Sequence, residues 1–404
     1  MIFTPARQAS FTEPMSRRFN FLFIHRLIIM KKLLIALAAI TAATACTVSQ
    51  PETTDSGLHP DDFADTIGGK TTALYTLRNK AGMEVCVTNF GGRIVSINVP
   101  DRDGRMRDVV LGFDSVADYV NIPSDFGATI GRYANRIDSG RFSLDGVDYQ
   151  LPQNNYGHCL HGGPRGFQYQ VFDAEQVSPT QLRLSYHSLD GEEGFPGNFD
   201  CTVIMTLSDS NSIDIKYEAV CDRPTIVNMT NHSYFNLDGD AASNADHMLT
   251  INAESYTPVD STFMTTGAIE PVEGTPMDFR NPTAVGARID DDFEQLANGH
   301  GYDHNWVLST GGDIRQKAAT LSSDASGIVL DVYTTEPGIQ VYAGNFLDGS
   351  FTGKHGVRYN RRASVCLETQ KYPDTPNKPS WPSATLRPGE KYTSETIFKF
   401  SVME

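Results

Sequence analysis

Residues 231–237 place His232 among Asn231, Ser233, Tyr234, Phe235 and Asn236, small polar and aromatic neighbours in a strand-rich stretch. Imidazole has the side-chain pKa nearest neutrality, so it gives a proton and takes it back without large tuning. Alone, His232 reads equally well as an ordinary buried histidine, since aromatic residues surround those too. A second reactive group shifts that balance. Residues 365–370 carry Glu368 at the end of an apolar strand-like run, just ahead of a rigid loop, 372–377, with Pro373 and Pro376. An imidazole and a carboxylate brought to one site could act as acid and base on one substrate.

Both groups sit in segments that must be strands. From about residue 66 to 404, apolar and polar residues alternate with period two between turn residues, and few runs would sustain a helix of three turns. The pattern predicts an all-β fold. Residues 142–144 and 147–149 flank Asp145-Gly146, a strong two-residue hairpin signal. Further strands are expected at 181–186, at 200–207 turning through 208–212 into 213–220, at 327–333 and at 338–343. One short helix, 284–296, is expected to cap an edge or end of the sheets. Tyr234, two residues after His232, falls on the same strand face and is a candidate to line a pocket. No internal repeat, low-complexity linker or composition break divides 66–404, so the strands predict one large two-sheet sandwich domain.

Charge narrows the partners. The chain of 404 residues has a net charge of −16, and residues 1–45 hold six basic residues and one acidic, which leaves −21 for the rest. Such a body repels nucleic acid and anionic lipid head groups and suits neutral small molecules. No protein partner is implied.

The N-terminus reads as a targeting segment. Lys31 and Lys32 precede the apolar run 33–40, and small residues lead to Ala43-Thr44-Ala45-Cys46. This pattern resembles a bacterial lipoprotein signal, with residues 1–45 as leader, Cys46 as the lipidated residue and 46–65 as a flexible tether. Ala43 stands where leucine is usual, so ordinary secretion after Ala45 is the alternative. A membrane-spanning anchor is disfavoured, because the uncharged run 33–45 is too short. Residues 1–29 read as an upstream extension, with Met30 the more conventional start. The expected location is exported, periplasmic or anchored at the membrane by lipid alone.

Of six cysteines, setting Cys46 aside leaves Cys86, Cys159, Cys201, Cys221 and Cys366, an odd and scattered set that predicts buried thiols instead of a disulfide framework. His158, Cys159 and His161 suggest zinc only superficially, since no second ligand pair follows at the usual spacing. Asp101-Arg102-Asp103-Gly104 lacks the glycine and glutamate positions of a calcium loop and reads as a hairpin turn. No metal is expected.

Several motifs occur in order: Gly131-Arg132-Tyr133-Ala134-Asn135-Arg136-Ile137, Leu160-His161-Gly162-Gly163, the run 190–197, the His232 run, 257–260, Tyr302-Asp303-His304-Asn305, Glu336-Pro337-Gly338-Ile339-Gln340 and 367–377. Any one would be weak. Together they resemble the aldose 1-epimerases, the galactose mutarotases, from about Thr66 to the C-terminus. The resemblance implies the family's β-supersandwich and cofactor-free interconversion of the α and β anomers of free aldoses of the glucose and galactose class. It implies Glu368 as general base at the C1 hydroxyl and His232 as general acid at the ring oxygen. By the same resemblance Asn135, Arg136, His161, Asp303 and Gln340 bind substrate hydroxyls, with Tyr234 lining the pocket. From the residues alone, Arg136 could equally hold a surface carboxylate, His161 reads as a turn histidine, and Asp303 could only orient His304. Phe235 and Trp306 are expected in the core.

Two other classes compete. A non-catalytic carbohydrate-binding sandwich has no need of a paired acid and base. A glycan hydrolase would use two carboxylates, for which Asp303 and Glu368 are the candidates. A hexose-6-phosphate epimerase would want a basic cluster, which the acidic body lacks.

Overall fold

The computed structural model describes residues 53–403. The leader and Cys46 lie outside the described residues.

Three antiparallel sheets organise the chain. The largest has nine strands, in spatial order Asp173–Ser178, Gln181–Ser188, Phe199–Leu207, Ser212–Cys221, Tyr392–Val402, Ile328–Thr334, Lys317–Ser322, Met248–Ile251 and Thr283–Ala284. The C-terminal strand therefore lies mid-sheet, a pairing no local signal announces. A six-stranded sheet runs Tyr234–Phe235, Val365–Gln370, Gly338–Tyr342, Asp303–Leu308, Ala253–Thr257 and Glu270–Pro271, and a four-stranded sheet is built from Leu74–Arg78, Glu84–Thr88, Arg93–Pro100 and Met106–Asp108. Alternation along these strands sends one face of the nine-stranded and six-stranded sheets into a shared core. Phe235 meets Phe398 edge-on with centroids 5.1 Å apart, and the hydroxyls of Thr369 and Thr396 hydrogen-bond across the layers. Each large apolar side chain buried there contributes about 1.5–3 kcal/mol. Trp306 and Phe235 are fully buried in this core, as expected.

The expected strands form within a residue or two of their anticipated bounds. At the predicted hairpin, Arg141–Leu144 pairs with Val147–Gln150. Asp145 and Gly146 have φ of 53° and 80°, the left-handed pair that a two-residue turn of matching twist requires.

Two expectations need correction. Residues 284–296 do not form one helix: Thr283–Ala284 adds an edge strand, Val285–Ala287 is a single 3₁₀ turn, and the helix spans Glu294–Gly299. Asp290, Asp291 and Asp292 are poor helix formers, and Gly286 donates its N–H to the Ala245 carbonyl instead of to a helical partner. A short helix at Val116–Asn121, capped by the Ser115 side chain on the Asp118 N–H, carried no comparable apolar period. The second correction concerns the tether. From residue 53 onward the chain is packed: Leu58 and Phe63 are buried with Phe113 and Tyr119, and the N–H groups of Asp55 and Ser56 donate to the buried carboxylate of Glu84 at 3.1 and 3.2 Å. Two anchoring apolar residues and a buried acceptor outweigh the polar composition that suggested a flexible linker.

The five described cysteines are free. The turn at Asp101 is a hairpin whose carboxylate accepts from the N–H groups of Asp103 and Arg105 and pairs with Arg107. No helix among the described residues is long and apolar enough to cross a membrane.

Candidate active site

The face of the six-stranded sheet turned away from the shared core is polar. Cross-strand pairs Asp303 with Tyr342, Asn305 with Gln340, Gln340 with Glu368, and Cys366 with both Tyr342 and Tyr234 place these side chains on one surface. Their sequence neighbours His304, Trp306, Ile339, Val341 and Leu367 take the other. His232 reaches the same surface from Thr230–His232, a strand that pairs with Ala128–Ile130.

Two turns wall the opposite side. Asn135, at φ 62°, and His161, at φ 53°, occupy the left-handed region, which asparagine and histidine tolerate better than most residues. They lock together: the Asn135 N–H donates to His161 Nδ1 and the His161 N–H donates to the Asn135 carbonyl, each at 3.1 Å. A Cβ on Gly162 would strike the Gly131 backbone and one on Gly163 the Glu193 carboxylate, so the glycine pair lets the His161 turn nest against two other motifs. Arg136 follows Asn135, stacks 4.7 Å over Phe263 and donates from Nε to Asn155 at 3.0 Å. Its carbonyl accepts the Asp374 N–H, which ties it to the loop after Glu368.

Between sheet and turns lies a cleft of about 260 Å³ lined by Asp125, Asn135, Arg136, His161, His232, Tyr234, Asp303, Tyr342 and Glu368, with Tyr156 and Phe346 at its rim. The volume is near the lower end of small-ligand sites. His232 Nε2 stands 3.4 Å from Glu368 Oε1. The His232 ring stacks on Tyr234 with centroids 4.9 Å apart and meets His161 edge-on at 5.2 Å.

Burial sets the electrostatics. The Glu368 carboxyl is pushed well above the usual carboxylate range by burial and then by Asp303 and Asp125, with Arg136 opposing. Burial pushes Asp303 up as well, against Arg136 and Gln340. His232 is pushed down by burial, with Asp125 opposing, and His161 well down by burial and by the neighbouring His232 and Arg136. His161 is thus neutral. Because its Nδ1 accepts the Asn135 N–H, its proton lies on Nε2, which faces the cleft as a donor.

That tautomer bears on metals. Asp125, His161 and His232 bring one ligand-type atom each within 4.8 Å of one another, but a protonated Nε2 has no lone pair for a cation, so this set fits a sugar oxygen better than a metal. His158 is used up structurally, by the Ser139 N–H at Nδ1 and Thr262 at Nε2. Its neighbour Cys159 is buried among apolar residues, its thiol pushed up to about 12.

Of the residues singled out in the sequence, seven converge on the cleft: Asn135, Arg136, His161, His232, Tyr234, Asp303 and Glu368. Gln340 does not line it. Gln340 stands behind Asp303 and donates Nε2–H to Oδ1 at 2.7 Å, so it aims a carboxylate instead of meeting the cleft. Asp303 and His304 point to opposite faces; the Asp303 N–H donates to His304 Nδ1, and the carboxylate is free of that ring. Among the cleft residues that escaped the sequence reading, Tyr342 and Asp125 stand beside the reactive pair. Tyr342 lies two positions after Gln340, so strand alternation would have found it. Asp125 sits in a loop with no motif of its own.

Fold and cleft together define a β-sandwich protein with a buried imidazole and carboxylate side by side in a polar cleft of small-ligand size. A family model described as Aldose 1-epimerase matches residues 73–399, and the chain belongs to that family. It is 44% identical over 336 residues to a galactose mutarotase from Mus musculus, covering 83% of this chain and 96% of the relative. It is 40% identical over 337 residues to the aldose 1-epimerase of Escherichia coli K12, covering 82% and 96%. A crystal structure of an aldose epimerase homologue from C. elegans superposes with a TM-score of 0.77 at 32% identity, covering 82% of this chain and 100% of that one.

Proposed function

We propose that this protein interconverts the α and β anomers of free aldopyranoses of the glucose and galactose class, with Glu368 as general base and His232 as general acid. The carrying observation is the 3.4 Å approach of His232 Nε2 to Glu368 Oε1 at a cleft wall lined with hydrogen-bonding side chains. Glu368 takes the proton of the C1 hydroxyl, the O1 electrons form the C1 carbonyl, the bond from C1 to the ring oxygen breaks, and that oxygen takes the His232 proton. The C1–C2 bond of the open aldehyde rotates. His232 then recovers its proton as the ring oxygen attacks the other carbonyl face, and Glu368 returns a proton to O1.

The electrostatics suit such a cycle. Burial favours protonated Glu368 beside neutral His232, the forms reached when the ring is open. The close contact favours the ion pair, the form that starts the reaction. Each such transfer by a positioned acid or base contributes about 10²–10⁴-fold in rate. Neutral His161 donates from Nε2, Arg136 and Asn135 donate, and Asp303 accepts from sugar hydroxyls.

Polarimetry on fresh α-D-glucose and α-D-galactose tests this. Relaxation far faster than in buffer, lost in Glu368→Gln, is the expected result; a wild-type rate equal to buffer on both sugars would refute it.

The N-terminal segment supports a second element of the reading: export, with lipid on Cys46, so that anomers of sugars released near the membrane are equilibrated outside the cytoplasm. Mass spectrometry of the mature N-terminus and cell fractionation decide it, and mature protein confined to the cytosol would refute it.

A further inference from the structure

Asp125 has no part in the scheme above, yet the fold builds a mount for it. It lies half-buried in the loop between the helix Val116–Asn121 and the strand Ala128–Ile130. Arg93, fully buried, donates Nη1–H to the Phe126 carbonyl at 3.0 Å and Nη2–H to those of Ser124 and Gln168 at 3.0 and 2.7 Å. Two of these acceptors flank Asp125. On its other side the loop is pinned to the strand that carries His232: the Gly127 N–H donates to the His232 carbonyl at 3.0 Å, and Asn231 Nδ2 donates to the Gly127 carbonyl at 2.9 Å. Phe126 packs edge-on against Tyr234 at 4.6 Å. A guanidinium taken wholly out of water with no carboxylate among its hydrogen-bond partners is expensive. That expense is explained if the loop geometry itself is what it secures.

The mount aims the Asp125 carboxylate at the two histidines, within 4.8 Å of a nitrogen on each. These rings are 5.2 Å apart, too close for both to be cationic at low cost, so at most one of them carries the extra proton. Hydrogen bonding already decides for His161, whose Nδ1 is held by the Asn135 N–H and whose other side faces Arg136. The groups facing His232 are Glu368 from Val365–Gln370, His161 from its turn, Tyr234 from the next strand, and Asp125 backed by Arg93 from the loop.

Resting on the epimerase reading of this cleft, we propose that Asp125 is a positioning residue of the site: a clamped counter-charge that holds a proton on His232, the histidine that hydrogen bonding leaves able to carry one, and so keeps it charged as the acid. Asp125 opposes the effect of burial on His232 and adds to that on Glu368. Removing its charge therefore makes His232 lose its proton, and Glu368 its own, at lower pH.

The test uses the purified protein, Asp125→Asn and Asp125→Glu. Nuclear magnetic resonance of labelled histidine rings, assigned through His161→Asn and His232→Asn, follows both titrations without reference to turnover. In Asp125→Asn, His232 is expected to titrate at lower pH than in wild type while His161 stays neutral. The pH profile of kcat/KM for galactose mutarotation is expected to move to lower pH on both limbs, with a fall of about 10-fold at pH 7, and Asp125→Glu is expected to restore the limbs. A His232 titration and limbs that coincide with wild type, even alongside a lower rate, would overturn the proposal. Wild-type protein that does not accelerate mutarotation would sink the epimerase reading instead, and the His232 titration would still decide what Asp125 does.

Discussion

The two faces of the six-stranded sheet are buried alike and made differently. On one, Trp306, Ile339, Val341 and Leu367 pack against the nine-stranded sheet; on the other, Asp303, Asn305, Gln340 and Glu368 stand beneath the turns that carry Asn135 and His161. The polar groups of the core face are largely paired, as in Trp306 Nε1–H to the Met277 carbonyl and Thr369 to Thr396, with His304 Nε2 the exception. On the cleft face Asn305 Oδ1, Gln340 Oε1, Glu368 Oε2 and both side-chain polar atoms of Gln370 lack partners within the protein. Native structures rarely leave such groups unpaired without a functional reason. Burial against apolar partners makes stability; burial against unpaired polar groups shifts pKa values and makes chemistry.

Substitutions on adjacent residues of one strand separate these effects. Glu368→Gln is expected to lower kcat for mutarotation by about 10²–10⁴-fold. It should also raise the melting temperature at pH 8: a buried carboxyl whose folded pKa is raised binds its proton more tightly when folded, so its contribution to stability is lost as pH rises toward that value. Polarimetry and calorimetry read the two halves, and a less stable variant at pH 8 would break the comparison. Leu367→Ala, one residue away and facing the core, is expected to cost about 2–5 kcal/mol in denaturant unfolding while the folded fraction keeps its kcat.

A core-face histidine gives the opposite pH dependence. Burial pushes His304 down from 6.5 to about 3, so the unfolded chain binds its proton first, and stability falls as pH drops from about 6.5 toward 3. His304→Gln should flatten that slope in thermal melts across this range. The smallest effect is expected from Gln340→Ala, which removes the hydrogen bond aiming Asp303; one lost bond of about 1 kcal/mol lowers kcat/KM roughly fivefold, chiefly through KM if Asp303 binds hydroxyls.

Much of this was legible before the fold. Period-two alternation predicted the strands, Asp145-Gly146 its hairpin, and the His232 and Glu368 runs two side chains that the fold brings together at one cleft. Gln340 looked like a ligand because the residue type at a motif position does not reveal which neighbour claims its amide. Asp125 was invisible, since its significance comes from Arg93, 32 positions earlier, and from histidines 36 and 107 positions later. The helix expected at 284–296 failed because an edge-strand pairing with Met248–Ile251 took its first residue, Ala284, and a 3₁₀ turn the next three.

The sequence by itself determined an all-β chain, the side chains available for acid–base work, and which alternate residues share a strand face, because those depend on residue type and a period of two. Only the tertiary structure decided which face became core and which became cleft, that Glu368 and His232 meet at 3.4 Å, and that Asp125 confronts them. Long-range strand pairing and turn packing bring together residues more than a hundred positions apart, and burial then changes the protonation of side chains whose identity alone would have left it ordinary.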